Sequence, residues 1–259
     1  MARHSFRRQT GRSASNANVV CGKNPVLEVL RIAPATIEKL YVVRGADVGD
    51  TFVTDAQRLG IGVEITDRHR LDEMTGGGHH QGVALQTKPF TFAAVEDVLR
   101  RAPAMVAVLD GIVDPQNLGA IVRAAEVLGA GAVLIPKDRS ASVTPAVIRA
   151  SSGAAIHLPI AQVVNVVRGL DQLKGGGYWI VGLDAHGASR FQDLPRFDRV
   201  ALVVGSEGHG MRPLVVRACD FVVAIPTRGR VASLNAATAA AIGLHELAAR
   251  LPPSASEPG

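Results

Sequence analysis

Apolar and polar positions alternate in two different ways along this chain of 259 residues, and the change falls near Ala104. Before it, helical and strand spacings take turns. "GKNPVLEVLR" carries a helical apolar stripe, "KLYVV" an extended run, "TDAQRLG" a helix closed by glycine, "GVEIT" a strand and "HRLDEM" a short helix. "TGGGHHQGVALQTK" adds a glycine run and a further strand, so residues 19–88 predict a small mixed α/β domain. "PFTFAAVEDVLRRAP", residues 89–103, is expected to be a linker.

Beyond it the apolar runs are longer and nearly unbroken: "MVAVLD", "AVLIP", "YWIVGLD", "RVALVVG" and "FVVAIP", with helix-length segments between them. An uninterrupted apolar strand suits a parallel sheet covered on both faces, so residues 104–251 predict a doubly wound α/β domain. Its last helix, "SLNAATAAAIGLHELAAR", is rich in alanine, whose small side chain lets helices pack closely, within one chain or against a second subunit. "PPSASEPG", residues 252–259, is expected to be a disordered tail.

One residue breaks the pattern of the helix after "MVAVLD". Leu118, Ile121, Val122, Ala125 and Leu128 recur at helical spacing between a capping Asn117 and a closing Gly129, and Arg123 projects away from that stripe. Its side chain calls for a use other than packing.

Charge and cysteine content narrow the setting. The net charge is +5, of which Arg3, Arg7, Arg8 and Arg12 supply four in a leading segment without acids, leaving +1 for the rest. Residues 1–18 thus form a basic tail suited to loose phosphate contacts or to plain solvation. Cys21 and Cys219 make no CxxC or metal-ligand pattern, which predicts a reduced, cytoplasmic protein. No apolar run reaches the roughly 18 residues that span a bilayer. Adjacent His79 and His80 point in different directions and lack partner ligands at suitable spacing, so no metal site is expected. Aromatic residues are 4% of the chain, too few for a broad base-stacking platform.

Ligands of open α/β sheets collect at the carboxyl ends of strands. Three such ends carry polar or glycine-rich turns: "LDGIVDPQNLGAIVR", "LVVGSEGHGMRP" and "AIPTRGRVASLN". "GSEGHG" fits neither a dinucleotide fingerprint nor a phosphate loop, and tight turning alone accounts for such glycines. In the third segment Ser233 is a candidate cap for the closing helix, and Arg228 and Arg230 flank Gly229 as phosphate-gripping or merely solvated charges.

Together, in this order and spacing, Asn117-Leu-Gly119 with Arg123, Gly205-Ser-Glu207-Gly208 with Gly210-Met211-Arg212, and Ile225-Pro226 with Ser233-Leu234-Asn235 resemble the SpoU (TrmH) family of S-adenosylmethionine-dependent RNA 2′-O-ribose methyltransferases, within the SPOUT superfamily. "HHQGV", residues 79–83, is similar to the RNA-binding domain of the branch that modifies a guanosine of 23S rRNA, which places His80 and Gln81 as RNA contacts. The resemblance implies catalytic roles for Arg123, Asn117, Glu207, Ser233 and Asn235, and cofactor contacts from Gly205, Ile225, Leu234, Gly208 and Gly210. It also implies an RNA-binding role for residues 19–88, a C-terminal trefoil knot and a homodimer. Thr227 stands where the family usually has methionine, and Ala236-Ala237-Thr238 replaces a valine-serine-valine run; both departures bear on loop packing. The expected chemistry is attack by a ribose hydroxyl on the donor's methyl carbon. Because a guanidinium holds its proton to above about pH 12, Arg123 is expected to position and polarise instead of acting as a free base. A tRNA enzyme of the same family and a noncatalytic RNA-binding or ribosome-assembly module are the alternatives.

Overall fold

The structure, a computed structural model, describes residues 18–46, 50–229 and 233–252. The arginines of the leading segment, Arg230 and residues 253–259 lie outside the described residues. Two compact units divide the chain, residues 1–89 and residues 90–259.

Among its described residues the first unit is a four-stranded sheet with three α-helices. Strands β1 (Val19–Cys21), β2 (Ile37–Val43), β3 (Gly62–Thr66) and β4 (Val83–Thr87) lie in the order β1-β4-β2-β3, with β2 and β3 parallel and β4 antiparallel to its neighbours. Helices α1 (Lys23–Ile32), α2 (Asp50–Arg58) and α3 (Arg68–Thr75) turn Val26, Val29, Leu30, Phe52 and Leu71 inward. Asp67 caps α3 by accepting from Arg70 N at 2.9 Å, and Gly76, left-handed at φ 63°, closes it. β1 is a strand that the hydrophobic pattern does not announce, because three residues are too short to show a period.

The second unit is a six-stranded, wholly parallel sheet. Its strands are β5 (Met105–Asp110), β6 (Ala132–Pro136), β7 (Ile160–Val163), β8 (Trp179–Leu183), β9 (Val200–Gly205) and β10 (Phe221–Val223), in the order β10-β8-β9-β5-β6-β7. The burial pattern explains the unbroken apolar runs. Val106 and Val108 of β5 join a cluster with α4 (Val95–Arg101), α8 (Val166–Gly175) and α9 (Pro213–Ala218) on one face. Met105, Ala107 and Leu109, equally buried, alternate with them toward the other face. There α5 (Pro115–Val127), α6 (Pro145–Ala150), α7 (Ala154–His157) and α10 (Ala236–Ala248) pack together, α10 lying on α5 and β9.

Several local expectations need correction. The stretch expected as a linker carries α4, whose Val95 and Val98 are buried, and Ala93 bridges Ala161 beside β7. β7 escapes the sequence pattern because its four residues include a polar Gln162. Helix α5 is capped by Asp114, whose Oδ1 accepts from Gln116 N at 3.1 Å with Pro115 in the first turn, so Asn117 sits inside the helix. Asn235, not Ser233, caps α10, its Oδ1 accepting from Ala237 N and Thr238 N at 2.9 and 3.2 Å. Both shifts free a polar side chain for other work. No helix among the described residues is long and apolar enough to cross a membrane.

Candidate active site

The carboxyl ends of β5, β9 and β10 lead into the three segments singled out above. β9 lies directly beside β5, with Gly205 opposite Asp110 in register. Asp110 is 2% exposed, and its carboxylate accepts from Arg212 N and Arg212 Nε, both at 2.8 Å, while Arg212 Nη2 lies 2.6 Å from Oδ1. A buried carboxylate needs such partners. The pair anchors the loop of residues 205–212 at its far end. Near its start the loop closes on itself, Ser206 N donating to Gly210 O at 3.1 Å and Gly210 N to Ser206 O at 2.9 Å. Gly205 is indispensable here, since a Cβ would lie 2.1 Å from the carbonyl carbon of Gly210. Arg212 belongs to the Gly210-Met211-Arg212 match, but its pairing with Asp110 has no cue in the sequence beyond an acid ending an apolar strand.

Glu207, at the tip of this loop, joins the other two segments. Its Oε1 accepts from Asn117 Nδ2 at 3.0 Å, from Asn235 Nδ2, and from Ala236 N at 3.3 Å. Asn235 Nδ2 also lies 2.9 Å from Asn117 Oδ1. Residues 117, 207 and 235 thus form one hydrogen-bonded triangle, with the carboxylate at the N-terminus of α10, where the helix dipole favours negative charge. Asn235 performs two tasks, its oxygen capping the helix and its nitrogen serving the triangle.

Beneath the triangle lies a cavity of about 390 Å³. Gly205, Gly208, Gly210, Ile225 and Leu234 all line it, as do Glu207 and Ser233. Ile225 and Leu234 lie outside regular structure on this wall. Asp184 and His186 contribute a polar edge, with Asp184 Oδ1 accepting from His186 N at 2.9 Å.

Not every candidate gathers here. Arg123 is exposed on α5, without a hydrogen bond or ion pair among the described residues, and it does not line the cavity. Six residues of helix displace it roughly 9 Å along the axis from Asn117. Arg228 is exposed and off the cavity wall. In the first unit His80 is 5% exposed with both ring nitrogens engaged: Gly82 N donates to Nδ1 at 2.9 Å, so Nε2 carries the proton offered to Asp72 Oδ1 at 3.0 Å. It holds a turn and has no free nitrogen for a ligand. Gln81 is exposed, its Oε1 accepting from Lys23 N at 2.9 Å. Among the described residues no cluster of three or more His, Cys, Asp or Glu side chains is disposed to hold a metal ion.

Residues 104–245 match the model of the SpoU rRNA Methylase family, more than half of the chain. The chain belongs to the SpoU family. It is accordingly an RNA methyltransferase, and residues 19–93 match a second model, RNA 2′-O ribose methyltransferase substrate binding. A relative from Mycolicibacterium vanbaalenii, named "Uncharacterized tRNA/rRNA methyltransferase", is 43% identical over 247 residues, covering 92% of this chain and 78% of that protein. A relative of the same name from Mycobacterium ulcerans is 42% identical over 255 residues, 95% of this chain and 82% of that one. In fold the chain is similar to the SpoU methyltransferase AviRb from Streptomyces viridochromogenes, solved with the cofactor AdoMet, at a TM-score of 0.69 and 23% identity over 89% of each chain. An AdoMet-bound rRNA methyltransferase from Sinorhizobium meliloti gives a TM-score of 0.68 at 22% identity, over 92% of this chain and 89% of that one.

Proposed function

We propose that the protein transfers a methyl group from S-adenosylmethionine to a ribose 2′-hydroxyl of RNA, with a guanosine of 23S rRNA as the target. The observation that carries this reading is the triangle of Asn117, Glu207 and Asn235 over a cavity walled by Gly205, Ile225 and Leu234. The cavity fits the donor in kind. A close backbone approach at Gly205 and the irregular backbone at Ile225 and Leu234 suit a flat heterocycle with a polar edge, and Leu183 and Val204 supply apolar wall. When bound there, the donor brings a methyl group already activated by its sulfonium. The chain's own task is alignment. The triangle holds three loops in one arrangement, Ser233 offers a hydroxyl at the cavity edge, and Arg123 holds and polarises the attacked hydroxyl and its neighbouring phosphate.

Because Arg123 is away from its own cavity, this reading includes a homodimer in which the arginine serves the partner copy. The outer face of α5 supports it. Ala120, Arg123 and Val127 share that face, and Val127 is 71% exposed, an apolar surface that a second copy would cover. The knotted path of the C-terminal segment belongs to the same reading, as do Arg228 and Arg230 as phosphate contacts.

The test is methyl transfer to large-subunit rRNA, with the modified ribose mapped and tRNA as the parallel substrate. Transfer to rRNA that is abolished by Arg123→Ala while donor binding persists is the expected result. Mixing Arg123→Ala with Glu207→Ala protein restores part of the activity if sites are shared between copies. Methylation confined to tRNA overturns the rRNA assignment, and absence of transfer to either overturns the enzymatic reading.

A further inference from the structure

The first unit holds a cavity of its own, of about 480 Å³, walled by Lys23, Arg44, Arg68, Gln81 and Gly82 with the short turn at Val43–Ala46. Three of these residues are cationic, and no described residue on the wall is acidic. Lys23 and Arg68 are the first residues of α1 and α3, so the N-terminal ends of two helices border the same space, with Lys23 N already bonded to Gln81 Oε1 and Arg70 N to the capping Asp67. Neither Arg44 nor Arg68 spends its guanidinium on a hydrogen bond or ion pair among the described residues. Neighbouring Asp67 directs its carboxylate to Arg70 N instead.

Gln81 completes the wall in a conformation that ordinary residues avoid, at φ 52°. The turn is held there by His80, bonded to Gly82 N on one side and to Asp72 on the other. Such strain collects where a ligand is gripped. With Oε1 occupied by Lys23 N, the end of the Gln81 amide left for a ligand is the Nε2 donor. Among the described side chains the wall thus presents three cations and an amide donor, with no carboxylate.

We propose that this cavity is a phosphate clamp for the RNA substrate, seating one backbone phosphodiester between Arg44 and Arg68 with Gln81 Nε2 as a third donor. Planar guanidinium forks pair with phosphate oxygens through two parallel N–H bonds, which lysine cannot do. Contacts of this kind set the register of an RNA without reading its bases. The proposal rests on the reading of the protein as an RNA methyltransferase, and it assigns Gln81 a direct role and His80 a positioning one.

The test uses full-length protein and a labelled fragment of large-subunit rRNA, with binding followed by fluorescence anisotropy across salt concentrations. Arg44→Gln/Arg68→Gln is compared with Arg31→Gln, which removes a charge at the opposite end of α1, and Gln81→Gly deletes the amide while relieving the strained φ. The expected result is a loss of affinity of roughly tenfold for the double variant, a log–log salt slope shallower by about 0.7 to 0.9, as the loss of one phosphate contact gives, and no change for Arg31→Gln. Donor affinity by calorimetry and the melting temperature stay at wild-type values. Double-variant binding equal to that of Arg31→Gln overturns the clamp. Saturation of the wild-type cavity by inorganic phosphate without any loss of RNA affinity in the variants also overturns it. Wild-type protein that binds RNA through these residues yet transfers no methyl group leaves the clamp standing and defeats the enzymatic reading instead.

Discussion

At the scale of single residues, the site is built from side chains with two tasks each. Asn235 caps α10 with its oxygen and reaches Glu207 with its nitrogen, and Asn117 is free for Glu207 because Asp114 has taken over the capping of α5. Asn117→Ala removes a hydrogen bond to a charged group, typically about 1.5–3 kcal/mol before the exposure of this triangle is discounted, so kcat falls roughly tenfold with the fold intact. Steady-state kinetics beside circular dichroism check this. Asp110 acts at a distance from the cavity. Asp110→Asn keeps the shape but discharges the buried partner of Arg212, whose side chain is 53% exposed and rehydrates, so the stability cost is about 1–2 kcal/mol and the melting temperature drops by roughly 2–6 °C. Donor affinity falls with it, because the 205–212 loop loses its anchor. Cys219 behaves oppositely to a reactive thiol: burial pushes it up to about 12, so at pH 8 it resists alkylation in the folded protein and reacts once the chain is unfolded. Mass spectrometry after iodoacetamide treatment reads the difference. The residue types of the triangle were legible from the family resemblance, whereas the assignment of caps was off at both helices because two acceptors near each start compete and only the backbone angles choose between them.

Elements meet where side chains are small. Gly119 lies where α5 crosses α6, and a Cβ there would approach Ala150 Cβ to 2.4 Å and Ser151 N to 3.0 Å. Gly119→Ala therefore forces the helices apart at a cost of about 1–3 kcal/mol, and it shifts Asn117 two positions away. A thermal melt and an activity assay detect both effects, and Ala150→Gly on that background recovers part of the stability. Gly243 plays the same part between α10 and Leu202 of β9, where an added Cβ would lie 2.9 Å from Cδ2. The alanine-rich composition of α10 is used within one chain, since Ala236, Ala237, Ala240 and Gly243 are buried against the rest of the second unit. Long apolar runs declared β5, β6, β8 and β9 plainly. β7 and β1 were hidden by shortness, and α4 by its position in a stretch whose flanking prolines suggest a connection.

At the scale of the whole molecule, the division into two units carries its own prediction. Residues 90–252 expressed alone keep a cooperative melt and donor binding, because their core lies within that unit, but lose most affinity for RNA; calorimetry and anisotropy test the two halves of that statement. The sheet order β10-β8-β9-β5-β6-β7 brings β9 beside β5 although roughly ninety residues separate them, and this adjacency puts Glu207 within reach of Asn117. Side-chain periodicity and local turn chemistry, both properties of neighbouring residues, determined from the sequence the α/β class, the covered parallel sheet and the three polar strand ends. Strand order, the Asp110–Arg212 anchor, the burial of His80, the strained Gln81 beside two arginines and the separation of Arg123 from its own cavity were decided by tertiary structure alone. Each depends on which distant segments come to lie side by side, and no spacing along the chain encodes a contact made across it.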